Sequence, residues 1–130
     1  MTDERFEQLV SEGIEAIPPR FLAKLKNVAV VVADRPTFEQ LKQNNVPKDE
    51  TLLGLYEGVP LVERGEAYGG LVLPDKITIF KLPILVEAAG NEDVVRCVVK
   101  ETVWHEIAHY FGYDDEEIRE REEEGTNFSR

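Results

Sequence analysis

The sequence centres on one run of residues that holds both of its histidines, His105-Glu106-Ile107-Ala108-His109-Tyr110-Phe111-Gly112-Tyr113-Asp114-Asp115. Residues four apart on an α-helix lie on the same face, one turn apart. Two imidazoles at that separation can bind one zinc ion. Gly112 comes three residues after His109 and can end the helix, so the chain can turn back and bring Asp115 to the same metal. The pattern predicts a helix with a metal site near its C-terminal end.

Glu106 directly follows His105, which is the position of the general base in the H-E-x-x-H pattern of metalloproteases. A catalytic zinc has three protein ligands and keeps one position for water. The sequence contains two histidines, so the third ligand must be an aspartate, a glutamate or a cysteine. Cys97 is excluded because it lies about 12 Å from His105 along a helix and points to another side. We expect it to be a small buried side chain.

The motif also resembles a known signature. The spacing of His105, Glu106, His109, Gly112 and Asp115 is similar to the extended zincin signature in the form where an aspartate replaces a third histidine. The whole chain, including the Phe6–Pro19 and Asn27–Ala33 segments, resembles a small bacterial family of zincin-like metallopeptidases. This resemblance implies an α+β, minimal zincin-like fold: a small twisted mixed sheet packed on an active-site helix and flanking helices.

The resemblance also implies a site and a reaction. One zinc ion would be held by His105, His109 and Asp115, and a zinc-activated water would attack the peptide bond. Glu106 would take the proton of that water as general base and later deliver it to the leaving amine. Asp114 is the second candidate for the third ligand, and a glutamate of the last helix, which extends to Glu124, is the third.

Two features depart from the zincin pattern. Metzincins place a methionine turn beneath the metal, whereas Met1 is the only methionine here. Only fifteen residues follow Asp115, too few for the usual subdomain that forms the far wall of a protease cleft. We therefore expect a shallow cleft or one completed by a partner chain. Tyr68, Tyr110 and Tyr113 could donate to an oxyanion, but packing in the core or at the rim is favoured for each.

Other interpretations of the motif stay open. Gly112-Tyr113-Asp114 is similar to a sequence in a bacterial family of metal-dependent ribonucleases, although Glu106 is absent from that pattern. A zincin scaffold could also retain zinc and bind a partner without catalysis. Finally, the helix could simply be amphipathic, with both histidines on its polar rim.

The composition is that of a single acidic domain. The 130 residues carry a formal net charge of -11, and 42% of them are hydrophobic. We expect one domain over residues 1–124 and a flexible tail over 125–130. The acidic charge argues against nucleic-acid and membrane partners, and the resemblance implies a peptide or protein substrate. With one cysteine, no signal peptide and no bilayer-spanning run, an internal disulfide is excluded and a cytoplasmic location is expected.

Apolar periodicity, caps and β-branched runs predict the remaining elements. The predicted helices are Glu4–Ala16, a short turn Arg20–Leu25, Phe38–Gln43, Leu82–Ala89, a long helix from an Asn91 cap through Phe111, and Asp114–Glu124. The predicted strands are Val28–Ala33, Leu52–Gly58 and Ile77–Phe80.

Three expectations concern how these elements are placed. Val28–Ala33 is a continuous β-branched run, which predicts a strand covered on both faces. The resemblance implies that one strand is an edge strand beside the active site, where an extended peptide could pair with it, and Ile77–Phe80 is favoured over the other strands. On the long helix, Val94, Val98 and Thr102 share the face of the histidines.

Overall fold

The computed structural model describes residues 1–23, 25, 28–58, 75–112 and 116. Over these ranges the helices are α1 (Asp3–Glu15), α2 (Pro19–Leu22), α3 (Phe38–Gln43), α4 (Lys81–Glu87) and α5 (Glu92–Tyr110). The strands are β1 (Val28–Ala33), β2 (Gly54–Glu57) and β3 (Asp75–Phe80). The architecture is therefore α+β with a small mixed sheet, as the resemblance implies. The predicted helix Asp114–Glu124, apart from Glu116, and the predicted tail 125–130 lie outside the described residues.

The sheet has the order β1-β3-β2. β1 runs parallel to β3, from Val28 opposite Asp75 to Ala33 opposite Phe80. β2 runs antiparallel to β3. The expectation that Ile77–Phe80 forms the edge strand is wrong, because β3 is paired on both sides. Sequence alternation gives the faces of a strand but not its order in the sheet.

The expectation that β1 is covered on both faces is also wrong. Val28, Val30 and Val32 pack against the core on one face, whereas Val31 on the other face is 38% exposed. A β-branched run favours a strand whether one face or both are covered, since the preference reflects packing on a pleated surface. The two cases differ only in what packs against the second face.

The core lies between α1, α5 and one face of the sheet. Its fully buried side chains include Phe6 and Leu9 of α1 and Ile77 and Ile79 of β3. α5 contributes the largest share: Val95, Val99, Val103, Trp104, Ile107 and Ala108. Burying one large apolar side chain contributes roughly 1.5–3 kcal/mol, so the position of α5 is set mainly by these contacts.

The ends of α5 are where the sequence predicts them. The Asn91 side chain accepts a hydrogen bond from the backbone N–H of Val94 at 3.2 Å. After Tyr110 the chain reaches Gly112, whose φ of 90° is left-handed, and its N–H donates to the carbonyl of His109 at 2.9 Å. Glycine reaches this conformation without the steric cost of a Cβ, so it ends the helix directly after the motif.

Cys97 corrects one expectation about α5, because it is exposed and not buried. It lies one turn from Asp93 and one turn from Glu101, and both of these are exposed as well. Residues four apart share a helix face, so Cys97 belongs to the face of α5 that is directed towards solvent.

Among the helices in the described ranges, none has the length and apolar character needed to cross a membrane.

Ion pairs tie α1 to the helices beside it. The buried Lys81 donates to Asp3, and this hydrogen bond, together with the positive charge, lowers the pKa of the Asp3 carboxyl. Arg96 donates to the Glu12 carboxylate, and this hydrogen bond, together with the negative charge, raises the pKa of Arg96. Water screens both pairs, because Asp3, Glu12 and Arg96 are all exposed by more than a third, so apolar burial contributes more to holding α1 than these pairs do.

Candidate active site

The two histidines lie together on the last two turns of α5. Their ring centroids are 4.9 Å apart and the ring planes meet at 76°. Both side chains are half-buried. Between them in the sequence, Ile107 and Ala108 are at most 1% exposed, so the backbone that carries the histidines is fixed by the core. The predicted placement of both imidazoles on one helix face is what the structure has.

Glu106 is buried between α5 and the sheet. Its side chain is 7% exposed, and its Oε1 accepts a hydrogen bond from the backbone N–H of Tyr56 at 3.0 Å. Hydrogen bonds to an ionised group are stronger than neutral ones, and this one fixes the orientation of the carboxylate. The candidate general base is therefore held by β2, which is the strand that lies beside the motif.

Tyr56 is itself anchored at its other end. Its hydroxyl donates to Oδ2 of Asp75 at 2.7 Å, and Asp75 is 3% exposed. Its ring packs edge-on against that of Tyr110, with centroids 6.2 Å apart. Tyr110 is fully buried, in agreement with the predicted packing role, while Tyr68 and Tyr113 lie outside the described residues. Sequence reasoning missed Tyr56 and Asp75, because a backbone donor on a neighbouring strand leaves no motif.

Gly54 explains how β2 comes so near to α5. A Cβ at this position would lie 2.6 Å from Cγ2 of Thr102 and 3.2 Å from Cγ of Glu106. The first distance is far below a van der Waals contact, so any side chain would force Thr102, the strand or the helix to shift. In the sequence, this glycine only weakens the predicted strand. In the structure, it lets the strand reach Glu106.

We predict that Gly54→Ala lowers the free energy of unfolding by about 1–3 kcal/mol, as overpacking of a tight contact does. Urea unfolding of the purified chain measures this change. Gly13→Ala is the matched control: its Cβ would meet its nearest neighbour, Cα of Lys100, at 3.6 Å. That space is sufficient, and alanine in a helix is favoured by roughly 1 kcal/mol over glycine. Equal stability of Gly54→Ala and the wild type would contradict the packing argument.

A cleft of about 360 Å³ opens beside the motif. It lies between α5, the C-terminal end of α4 and the segment that leads into β2. The face predicted from the helical wheel lines it: Val98, Thr102 and His105 are all part of its wall, together with Glu106. A bound molecule in the cleft would thus touch one histidine and the candidate base.

The third metal ligand was not located. Asp115, the predicted ligand, and its alternative Asp114 lie outside the described residues, as do the glutamates of the last predicted helix apart from the exposed Glu116. Within the described part of the chain, no three His, Cys, Asp or Glu side chains are grouped so that they could hold a metal ion. The two imidazoles are nevertheless the donors that zinc prefers, so the donor set present fits this ion.

The fold and the motif together define a class of protein. A helix that presents His-Glu-x-x-His beside a sheet strand is the arrangement of the zincins, which are metal-dependent peptidases. The model of the zincin-like metallopeptidase family matches residues 25–125, well over half of the chain. The chain therefore belongs to the zincin-like metallopeptidase family, and zinc is the ion that this family implies. A search of the curated proteins finds no match.

Proposed function

We propose that the chain is a zinc-dependent peptidase that hydrolyses peptide bonds. In this proposal His105, His109 and Asp115 hold one zinc ion, and Glu106 is the general base. The observation that carries the proposal is the placement of Glu106, which is buried, bonded to the Tyr56 N–H and part of the same cleft as His105. When bound, zinc would supply a Lewis acid and lower the pKa of water at the site.

The residues of the chain have separate tasks in this reaction. The Glu106 carboxylate takes a proton from the attacking water and returns it to the nitrogen of the leaving amine. The Tyr56 N–H keeps one oxygen of that carboxylate in place, so that the base does not need to reorient during the reaction. The buried turn around Ile107 and Ala108 keeps the two histidines at a constant separation.

The position of Glu106 also bears on the alternatives. A module that only retained zinc for binding a partner would not need a carboxylate fixed at the cleft. A ribonuclease would have to attract a polyanion, whereas this chain has a formal net charge of -11, which repels phosphate backbones. A peptide or protein is the substrate that both observations favour.

A randomised peptide mixture tests the proposal. We expect the purified, zinc-loaded chain to cleave a subset of the peptides, as mapped by mass spectrometry. Cleavage should stop when a zinc chelator is added and return when zinc is restored. Complete resistance of the mixture would overturn the proposal. Chelator-sensitive cleavage of RNA in a parallel assay would assign the chain to the ribonucleases instead.

A further inference from the structure

We propose that the cleft beside Glu106 binds a basic side chain, lysine or arginine, of the peptide substrate, and that Glu87 and Glu101 select it. The inference rests on the proposed function, because it gives that function a substrate class.

The wall of the cleft has an apolar part and an acidic part. Leu52, Leu53 and Val98 supply the apolar part. Glu87, at the end of α4, and Glu101, on α5, supply the acidic part, and both are exposed. The two residues belong to different helices, so α4 and α5 both contribute to the acidic part of the wall.

Among the described residues, none compensates the negative charge in the cleft. No lysine or arginine is among the described residues that line it. Within the part of the chain that the structure describes, neither Glu87 nor Glu101 makes an ion pair. The negative net charge of the whole chain adds to the local field and attracts cations towards the cleft.

Lysine and arginine side chains match this wall. Each has an apolar stem and a cationic head, and such side chains bury the stem while the head stays near water. The stem would contact the leucines and Val98, and the head would lie between the two glutamates. An acidic side chain would be repelled there, and an aliphatic one would gain no charge attraction from the two carboxylates.

The position of the cleft makes it suitable for selecting a substrate. His105 and Glu106 are part of the same wall, and Glu101 is one helical turn from His105. A side chain bound in the cleft would therefore belong to a residue close to the bond that is hydrolysed. The volume of about 360 Å³ is at the lower end of ligand pockets, roughly 300–1,000 Å³, which suits one side chain.

The test compares capped peptides that differ at one central position: lysine, norleucine or glutamate, with alanine elsewhere. The readout is the ratio of kcat/KM for the lysine peptide to that for the norleucine peptide. We expect the wild-type chain to favour lysine and to cleave the glutamate peptide most slowly. In the double variant Glu87→Gln, Glu101→Gln the ratio should fall by about threefold to tenfold, the scale of two exposed ion pairs. High salt should lower the wild-type ratio too.

The matched control is the double variant Glu7→Gln, Glu39→Gln. Both residues are exposed and neither lines the cleft, and the control changes the net charge by the same amount. It should keep the wild-type ratio. If the control lowered the ratio as much as the Glu87, Glu101 double variant, long-range charge rather than the cleft would select the substrate, and the proposal would be wrong.

A binding measurement separates this proposal from the proposed function. The zinc-loaded Glu106→Gln chain is titrated with the same peptides and followed by NMR. If the cleavage assay shows hydrolysis without preference for lysine, the proposal for the cleft fails and the proposed peptidase function is kept. If no peptide is cleaved, but the lysine peptide binds more tightly than the others and loses this advantage when Glu87 and Glu101 are changed to glutamine, the proposal for the cleft is kept. The proposed peptidase function is then wrong. Equal binding of all three peptides overturns the cleft proposal.

Discussion

Glu106→Gln should remove peptide hydrolysis while the fold and the binding of zinc are kept. The amide oxygen of glutamine can still accept the hydrogen bond from the Tyr56 N–H that Oε1 accepts in the wild type, so the contact between β2 and α5 is kept. Glutamine cannot take up the proton of the attacking water. Loss of a general base lowers the rate by about 100-fold to 10,000-fold. The rate is measured with a peptide that the wild-type chain cleaves, and the metal by elemental analysis.

Two further variants make this result specific. Glu106→Ala removes the acceptor as well, so it should also lose stability, by roughly 1–3 kcal/mol for a backbone donor left without its partner. Glu39→Gln lies on α3, is exposed and does not line the cleft, so it should cleave as fast as the wild type. Wild-type cleavage by Glu106→Gln would show that another group is the base.

His105→Ala and His109→Ala should each abolish zinc binding at micromolar concentrations. Changing an outer-shell partner of a metal ligand already weakens metal affinity by about 10-fold to 100-fold, and removal of a direct ligand should exceed that. Both side chains are half-buried, so neither truncation opens a large cavity in the core. Competition with a chromophoric chelator measures the affinity. The rise in Tm on adding zinc, expected for the wild type by mass action, should disappear in both variants.

The same measurement identifies the third ligand. Asp115→Asn should weaken zinc binding as strongly as loss of a histidine, and Asp114→Asn should leave it near the wild-type value. The reverse result would exchange the roles of the two aspartates. Wild-type zinc affinity in both histidine variants would mean that the histidines are not a ligand pair, and the proposed zinc site would then be wrong.

Much of the fold could be predicted because helix signals are local. The Asn91 cap, the left-handed Gly112 and the apolar positions between them gave α5 to within one residue. Phe38–Gln43 was predicted with the same bounds as α3, whose Thr37 and Gln40 form a capping box. In both cases the deciding interactions join residues three or four apart, and a sequence displays such interactions directly.

The expectations that failed depend on contacts between distant parts of the chain. β3 was expected at the edge and lies in the centre, because strand order is set by pairing across many intervening residues. Cys97 was expected to be buried, but it lies on an exposed face of α5. The alternation of apolar residues gave the faces of these elements, and only the assembled fold showed which faces were covered.

The same division holds for the candidate site. His105, Glu106 and His109 share one end of α5 because the helix repeat places them there, and the sequence contains that repeat. The group that binds the Glu106 carboxylate is the backbone N–H of Tyr56, which lies 50 residues earlier in the sequence. That contact exists because Gly54 has no Cβ and lets β2 approach Thr102. Every residue except proline has a backbone N–H, so residue types cannot indicate which one orients the base. Only the packing of the strand against the helix identifies it.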